Sequence, residues 1–69
     1  MTKEMEFFIY LLEQYAYYKK KNTGDIMRLW DNKGLTDFIF NQYDFYHTES
    51  IENAFQDIDS LIATGKTAW

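Results

Sequence analysis

Apolar positions along the chain fall into four groups separated by polar corners, and the last group is the simplest. Between Ser50 and Gly65, the residues Ile51, Ala54, Phe55, Ile58, Leu61 and Ile62 recur at intervals of three and four, the spacing that lines one face of an α-helix. Glu52, Asn53, Gln56, Asp57, Asp59 and Ser60 occupy the other positions, which predicts a core side and an acidic solvent side. The first group is less tidy. Phe7, Phe8, Ile9, Tyr10, Leu11 and Leu12 form an unbroken apolar run. With about 3.6 residues per turn, consecutive side chains spread around the whole helix, so the run cannot serve a single core. Met5, Phe8, Ile9, Leu11, Leu12, Tyr15 and Ala16 share one broad side, the predicted core face. Phe7 and Tyr18 lie on its flank. Tyr10 and Tyr17 fall on the opposite side among Glu6, Glu13, Gln14 and Lys21.

The corners set the remaining boundaries. Helix 1 is predicted from about Thr2 to Tyr18 or slightly beyond, with Glu4 and Glu6 in its first turns and Lys19, Lys20 and Lys21 at its end, as the helix dipole favours. Helix 2 starts with Thr23 as N-cap and covers roughly Gly24 to Asn32, presenting Ile26, Met27, Leu29 and Trp30 before "NKG" ends it. Helix 3 takes Thr36 as N-cap, with Leu35 placed to staple against Phe40, and runs through Phe38, Ile39 and Tyr43. The chain then turns in "YDFYHTES", and helix 4 starts near Thr48 or Ser50 and stops before Gly65. Gly34 and Gly65 stand where a left-handed residue closes a helix. There is no proline, repeat or linker. The expectation is an all-α fold: a small single-domain bundle of about four helices over residues 1–69, with helices 1 and 4 long, helices 2 and 3 short and packed across them, and a C-terminal tail 65–69 with freedom to flex. The expected core is Phe8, Leu11, Leu12, Tyr15, Ile26, Trp30, Phe38, Ile39, Tyr43, Ile51, Phe55, Ile58 and Ile62.

Composition narrows the chemistry. A chain of 69 residues buries only roughly 60% of its unfolded surface, so its core must be dense. With no cysteine and one histidine, His47, disulfides are excluded and neither a metal site nor a cofactor is expected. Aromatic rings must supply the stability, alone or with a partner. The acidic start "MTKEMEFFIYLL" is unlike a signal peptide, and six apolar residues fall far short of the about 20 that span a membrane; the expected location is cytoplasmic. Net charge is −4. Residues 34–69 carry Asp37, Asp44, Glu49, Glu52, Asp57 and Asp59 against Lys66 alone, a surface that repels phosphates and favours basic partners.

Four features are candidates for function. The Tyr10/Tyr17 pair, widened by Phe7 and Tyr18, reads either as ordinary exposed tyrosine or as a partner-binding stripe, serving a heterologous protein or a second copy of the chain. His47 lacks any recognisable nucleophile motif around it, so no catalytic residue is assigned; Asp44, His47 and Thr48 are read as a structural turn between helices 3 and 4, tied by an Asp44–His47 pair. "KKKNTG" reads as dipole compensation and solubility or as a phosphate contact. The segment "TGDIMRLWDNKGLTDFIFNQY" has a helix-turn-helix outline, but its second helix holds Asp37 and Asp44 and no basic residue, unlike a nucleic-acid reader. No nucleic acid, membrane or small-molecule substrate is expected as a partner. Trp69 either frays or folds back over an open edge of the core, and both readings stay open.

Three stretches together carry a family resemblance: "FFIYLLEQYA", then Leu35, Asp37, Phe38, Tyr43, Asp44, His47 and Thr48, then Asp57, Ile58, Asp59 and Ile62. Spanning most of residues 7–62, they are similar to a family of short bacterial proteins with a shared domain of unknown function and a "YD..HT" and "DID" signature. The resemblance implies a small cytoplasmic helical protein, often encoded beside an ADP-ribosyltransferase-like toxin, and so an antitoxin-like or immunity-like partner for it. The tyrosine-rich first helix, the "KKK" corner and Trp69 depart from the family pattern.

Overall fold

The structure, a computed structural model, describes residues 1–68; Trp69, and with it the choice between fraying and folding back, lies outside the described residues. Five helical segments follow one another: α1 (Lys3–Lys19), α2 (Thr23–Asn32), α3 (Thr36–Phe40), α4 (Tyr43–Tyr46) and α5 (Ile51–Thr64). No strand occurs among the described residues. The all-α bundle is therefore as expected, with one refinement. The predicted third helix stops at Phe40, and "YDFY" forms a separate single turn beyond Asn41 and Gln42.

Local chemistry explains most boundaries. The Thr2 hydroxyl accepts the Met5 N–H at 3.1 Å and caps α1. At α2 the cap is Asn22 rather than Thr23: its side-chain oxygen accepts the Asp25 N–H at 2.7 Å. Leu35, not Thr36, precedes α3, while the Thr36 hydroxyl reaches back to Asp31. Gly34 and Gly65 adopt φ of 69° and 78°, as their positions predicted. The end of α1 uses the same device without a glycine. Lys20 stands at φ 58°, and the Lys21 N–H returns to the Ala16 carbonyl at 2.9 Å. This matches the Leu35-to-Trp30 bond of 2.8 Å that closes α2, the six-to-one bond of a Schellman end.

The core is a chain of rings. Phe40 meets Phe8 at 5.6 Å between centroids, Phe8 meets Trp30 at 5.8 Å, Trp30 meets Tyr15 at 5.7 Å, and Tyr15 meets Phe55 at 5.7 Å. These separations suit tilted and edge-to-face aromatic pairs. The chain joins α3, α1, α2 and α5, with Leu11, Ile26, Ile39 and Ile58 buried around it. Of the expected core, Phe38 is exposed, and Leu12, Tyr43, Ile51 and Ile62 are only partly buried. Leu35, Tyr46, Ala54 and Leu61 are buried in addition. Part of the exchange traces to the third helix. Splitting the third helix rotates its second half, which brings Tyr46 inward and leaves Tyr43 at the margin. The Trp30 indole N–H and the Tyr46 hydroxyl are buried without a hydrogen bond of good geometry, each at a cost of about 1–3 kcal/mol.

Candidate docking face on helix α1

Helix α1 presents its two sides to different surroundings. Phe8, Leu11, Tyr15 and Ala16 are buried, while Tyr10 is 49% exposed and Tyr17 85% exposed. The sides follow the helical period, apart from Met5 and Ile9, which stand at the edge of the core face and remain exposed.

The four candidate binding residues do not form one continuous patch. Phe7 and Tyr10 touch, with ring centroids 6.4 Å apart. Phe7 also packs edge-on against Tyr43 at 5.7 Å and His47 at 6.4 Å. Tyr43 and His47 stack almost parallel, 4.1 Å apart at 5°. Sequence reasoning missed this aromatic end-cluster because "YDFYHTES" read as a turn; the spacing of four between Tyr43 and His47, which aligns side chains on a helical turn, was the available signal. Tyr18, further along the helix, stacks on Phe55 at 4.7 Å and 17°. Tyr17 touches neither ring group among the described residues.

The turn residues are placed differently from the expected Asp44–His47 pair. The His47 Nδ1 meets the Tyr43 carbonyl, and the Thr48 hydroxyl donates to the Phe45 carbonyl at 2.9 Å. Asp44 is exposed and makes neither a hydrogen bond nor an ion pair with His47. The backbone of the single turn α4 holds the imidazole, and no carboxylate is needed to do so.

Two aspartates that the helical wheel sent to solvent lie on opposite flanks of the α5 core stripe. Asp59 is half-buried and accepts the Tyr15 hydroxyl at 2.5 Å, the more distant Tyr18 hydroxyl at 3.4 Å, and Lys19 Nζ as an ion pair at 3.1 Å. This gives Lys19 a partner and separates it from Lys20 and Lys21. Asp57 is buried outright at 2% exposure and accepts the Ala68 N–H at 3.1 Å. The Ser60 hydroxyl also holds the Lys66 carbonyl at 2.7 Å, so residues 66–68 return to α5. Burial, then the Asp59 hydrogen bond and charge, push the Tyr15 hydroxyl well above the ordinary tyrosine range. Burial and the Asp57 charge do the same to Tyr46, although its hydroxyl misses the geometry of a full hydrogen bond.

Two shallow grooves mark the surface. One of about 250 Å³ is lined by Phe45, Glu49, Asn53, Gln56, Asp57 and Ala68, and one of about 200 Å³ by Asp31, Gly34, Thr36 and Asp37. Neither contains His47 or the α1 tyrosines. Among the described residues no set of three or more His, Cys, Asp and Glu is placed to hold a metal ion. Nor is any helix among them long and apolar enough to cross a membrane.

The fold and this surface define a small all-α domain with an aromatic core and exposed tyrosines on its first helix. It belongs to the family described as Protein of unknown function (DUF3791), whose model matches residues 6–64, from the first turns of α1 to the end of α5. Comparison with curated proteins and with solved structures gives no match.

Proposed function

We propose that this chain is a non-enzymatic protein-binding module that acts as the neutralising partner of a toxin. The observation that carries the reading is the outer side of α1, where Tyr10 and Tyr17 stand exposed on a helix whose inner side already fills the core. Tyrosine offers a large, stiff, amphipathic contact at low entropic cost, and interfaces are enriched in it. The Phe7–Tyr43–His47 cluster extends this surface at one end, and Tyr18 borders it at the other. The acidic excess of residues 34–69 favours a basic partner. Resemblance to proteins encoded beside ADP-ribosyltransferase-like toxins supplies the partner class: an acidic, aromatic protein is suited to occlude a cleft that accepts the anionic cofactor NAD.

Coexpression tests this. The chain should restore growth to cells producing an ADP-ribosyltransferase-like toxin of the proposed class, and the Tyr10→Glu/Tyr17→Glu variant should fail while remaining folded by circular dichroism. Equal protection by that variant would remove the tyrosine face from the account. Absence of protection by the wild type would remove the toxin.

A further inference from the structure

The outer side of α1 has a charge order that makes it complementary to itself. Glu6 lies toward its N-terminal end, Tyr10 and Tyr17 in the middle, and Lys20 and Lys21 just beyond its C-terminus. All five are exposed. Glu6, Lys20 and Lys21 have no side-chain partner within the described chain, and neither do Glu13 and Gln14 between the tyrosines. Some polar side chains elsewhere are engaged, among them Arg28 with Asp25, Asn53 with Glu49, Thr36 with Asp31, and Lys19 with Asp59.

We infer that in the absence of another partner this face docks on a second copy of the chain, with the two α1 helices antiparallel. A twofold axis between Glu13 and Gln14 sets Tyr10 of each copy against Tyr17 of the other. The same register brings Glu6 opposite the Lys20–Lys21 corner, with Glu13 and Gln14 at opposite edges of the seam. An isologous contact requires a patch that complements itself under such a rotation. The parallel arrangement is disfavoured, because it sets Glu6 against Glu6 and lysine against lysine. Antiparallel pairing also opposes the two helix dipoles. The 17 residues of α1 give a strip about 25 Å long and about 10 Å wide, an area of roughly 250 Å² that falls well below the roughly 800 Å² per partner of a standard interface. The dimer is therefore weak and exchangeable, and a heterologous partner using the same tyrosines displaces the second copy. The inference does not rest on the toxin reading.

Sedimentation equilibrium of the purified chain tests it. The expected result is a monomer–dimer equilibrium with a dissociation constant of about 10–100 µM, weakened by salt because the flanking pairs are exposed. Tyr10→Glu/Tyr17→Glu should weaken it by more than about 100-fold. Lys20→Glu/Lys21→Glu should weaken it roughly tenfold, and adding Glu6→Lys should restore it. These positions are exposed, so circular dichroism should show every variant folded. A wild type that stays monomeric to about 1 mM overturns the proposal. A dimer indifferent to the tyrosine variant, or one that the charge exchange does not restore, overturns it equally. If the wild type is monomeric yet still rescues growth in coexpression, self-docking fails while the toxin reading stands.

Discussion

Tyr15 and Tyr17 stand two positions apart on α1, yet one is fully buried and the other 85% exposed. Tyr15 packs its ring between Trp30 and Phe55 and gives its hydroxyl to Asp59. Tyr17 has no ring or hydrogen-bond partner among the described residues. The residue type is the same, so the difference comes from position on the helical period and from what α2 and α5 bring to the inner side. This also accounts for the unbroken run from Phe7 to Leu12. Phe8 and Leu11 belong to the core, with Leu12 at its margin, while Phe7 joins the α4 rings and Tyr10 faces outward.

The sharpest way to break that comparison is to truncate both sides of the helix. Leu11→Ala or Tyr15→Ala should each cost about 3–5 kcal/mol, a loss that leaves a domain of this size largely unfolded, whereas Tyr17→Ala should stay within about 0.5 kcal/mol of wild type. Urea unfolding followed by circular dichroism reads both. Similar losses on the two sides would mean that the faces are wrongly assigned.

A finer cut removes only a hydroxyl. Tyr15→Phe leaves the ring in place and deletes the bond to Asp59, so it should cost about 1–2 kcal/mol, at the lower end because Asp59 is partly solvated. Tyr46→Phe removes a buried hydroxyl that has no well-formed bond. It should be close to neutral, or stabilising by up to about 1 kcal/mol.

The same two hydroxyls set the alkaline limit of the fold. Both titrate above the ordinary tyrosine value when folded. The unfolded chain therefore loses their protons first as pH rises past about 10. Stability is fully present below that point and falls above it, by up to about 1.4 kcal/mol per pH unit for each hydroxyl. Unfolding curves collected between about pH 8 and pH 11 should show a shallower decline in Tyr15→Phe/Tyr46→Phe than in wild type.

The smallest effect concerns how α1 ends. Lys20 holds a left-handed conformation that α2 and α5 assign to glycine. Lys20→Gly should gain about 1 kcal/mol, a rise of roughly 5 °C in midpoint. Gly34→Ala should lose a similar amount. A loss in Lys20→Gly would show that the lysine contributes something its backbone does not reveal.

Much of this was legible in the sequence, and the exceptions share a physical cause. Ile51, Ala54, Phe55, Ile58 and Leu61 announced α5 through spacing alone, and Gly34 and Gly65 marked two helix ends. Asp57 and Asp59 were misplaced because a helical wheel treats every polar residue as solvent-facing. Both stand at the edges of the apolar stripe, where tertiary partners cover them: the returning C-terminal residues over Asp57, and Tyr15, Tyr18 and Lys19 over Asp59. The break at Asn41 and Gln42 carried no glycine or proline to announce it, so Tyr46 was missed and Tyr43 was overestimated as core. Of the candidate site, the exposure of Tyr10 and Tyr17 followed from the period. The Phe7–Tyr43–His47 cluster did not, since it depends on how α4 packs on α1.

The most direct measurement for the central claim, that the outer side of α1 is a docking face, is co-elution on size exclusion with an ADP-ribosyltransferase-like toxin, the partner class proposed above. The account predicts one complex peak with the wild type and separate peaks with the folded Tyr10→Glu/Tyr17→Glu variant. Separate peaks with the wild type, or a complex that the variant leaves intact, would contradict it.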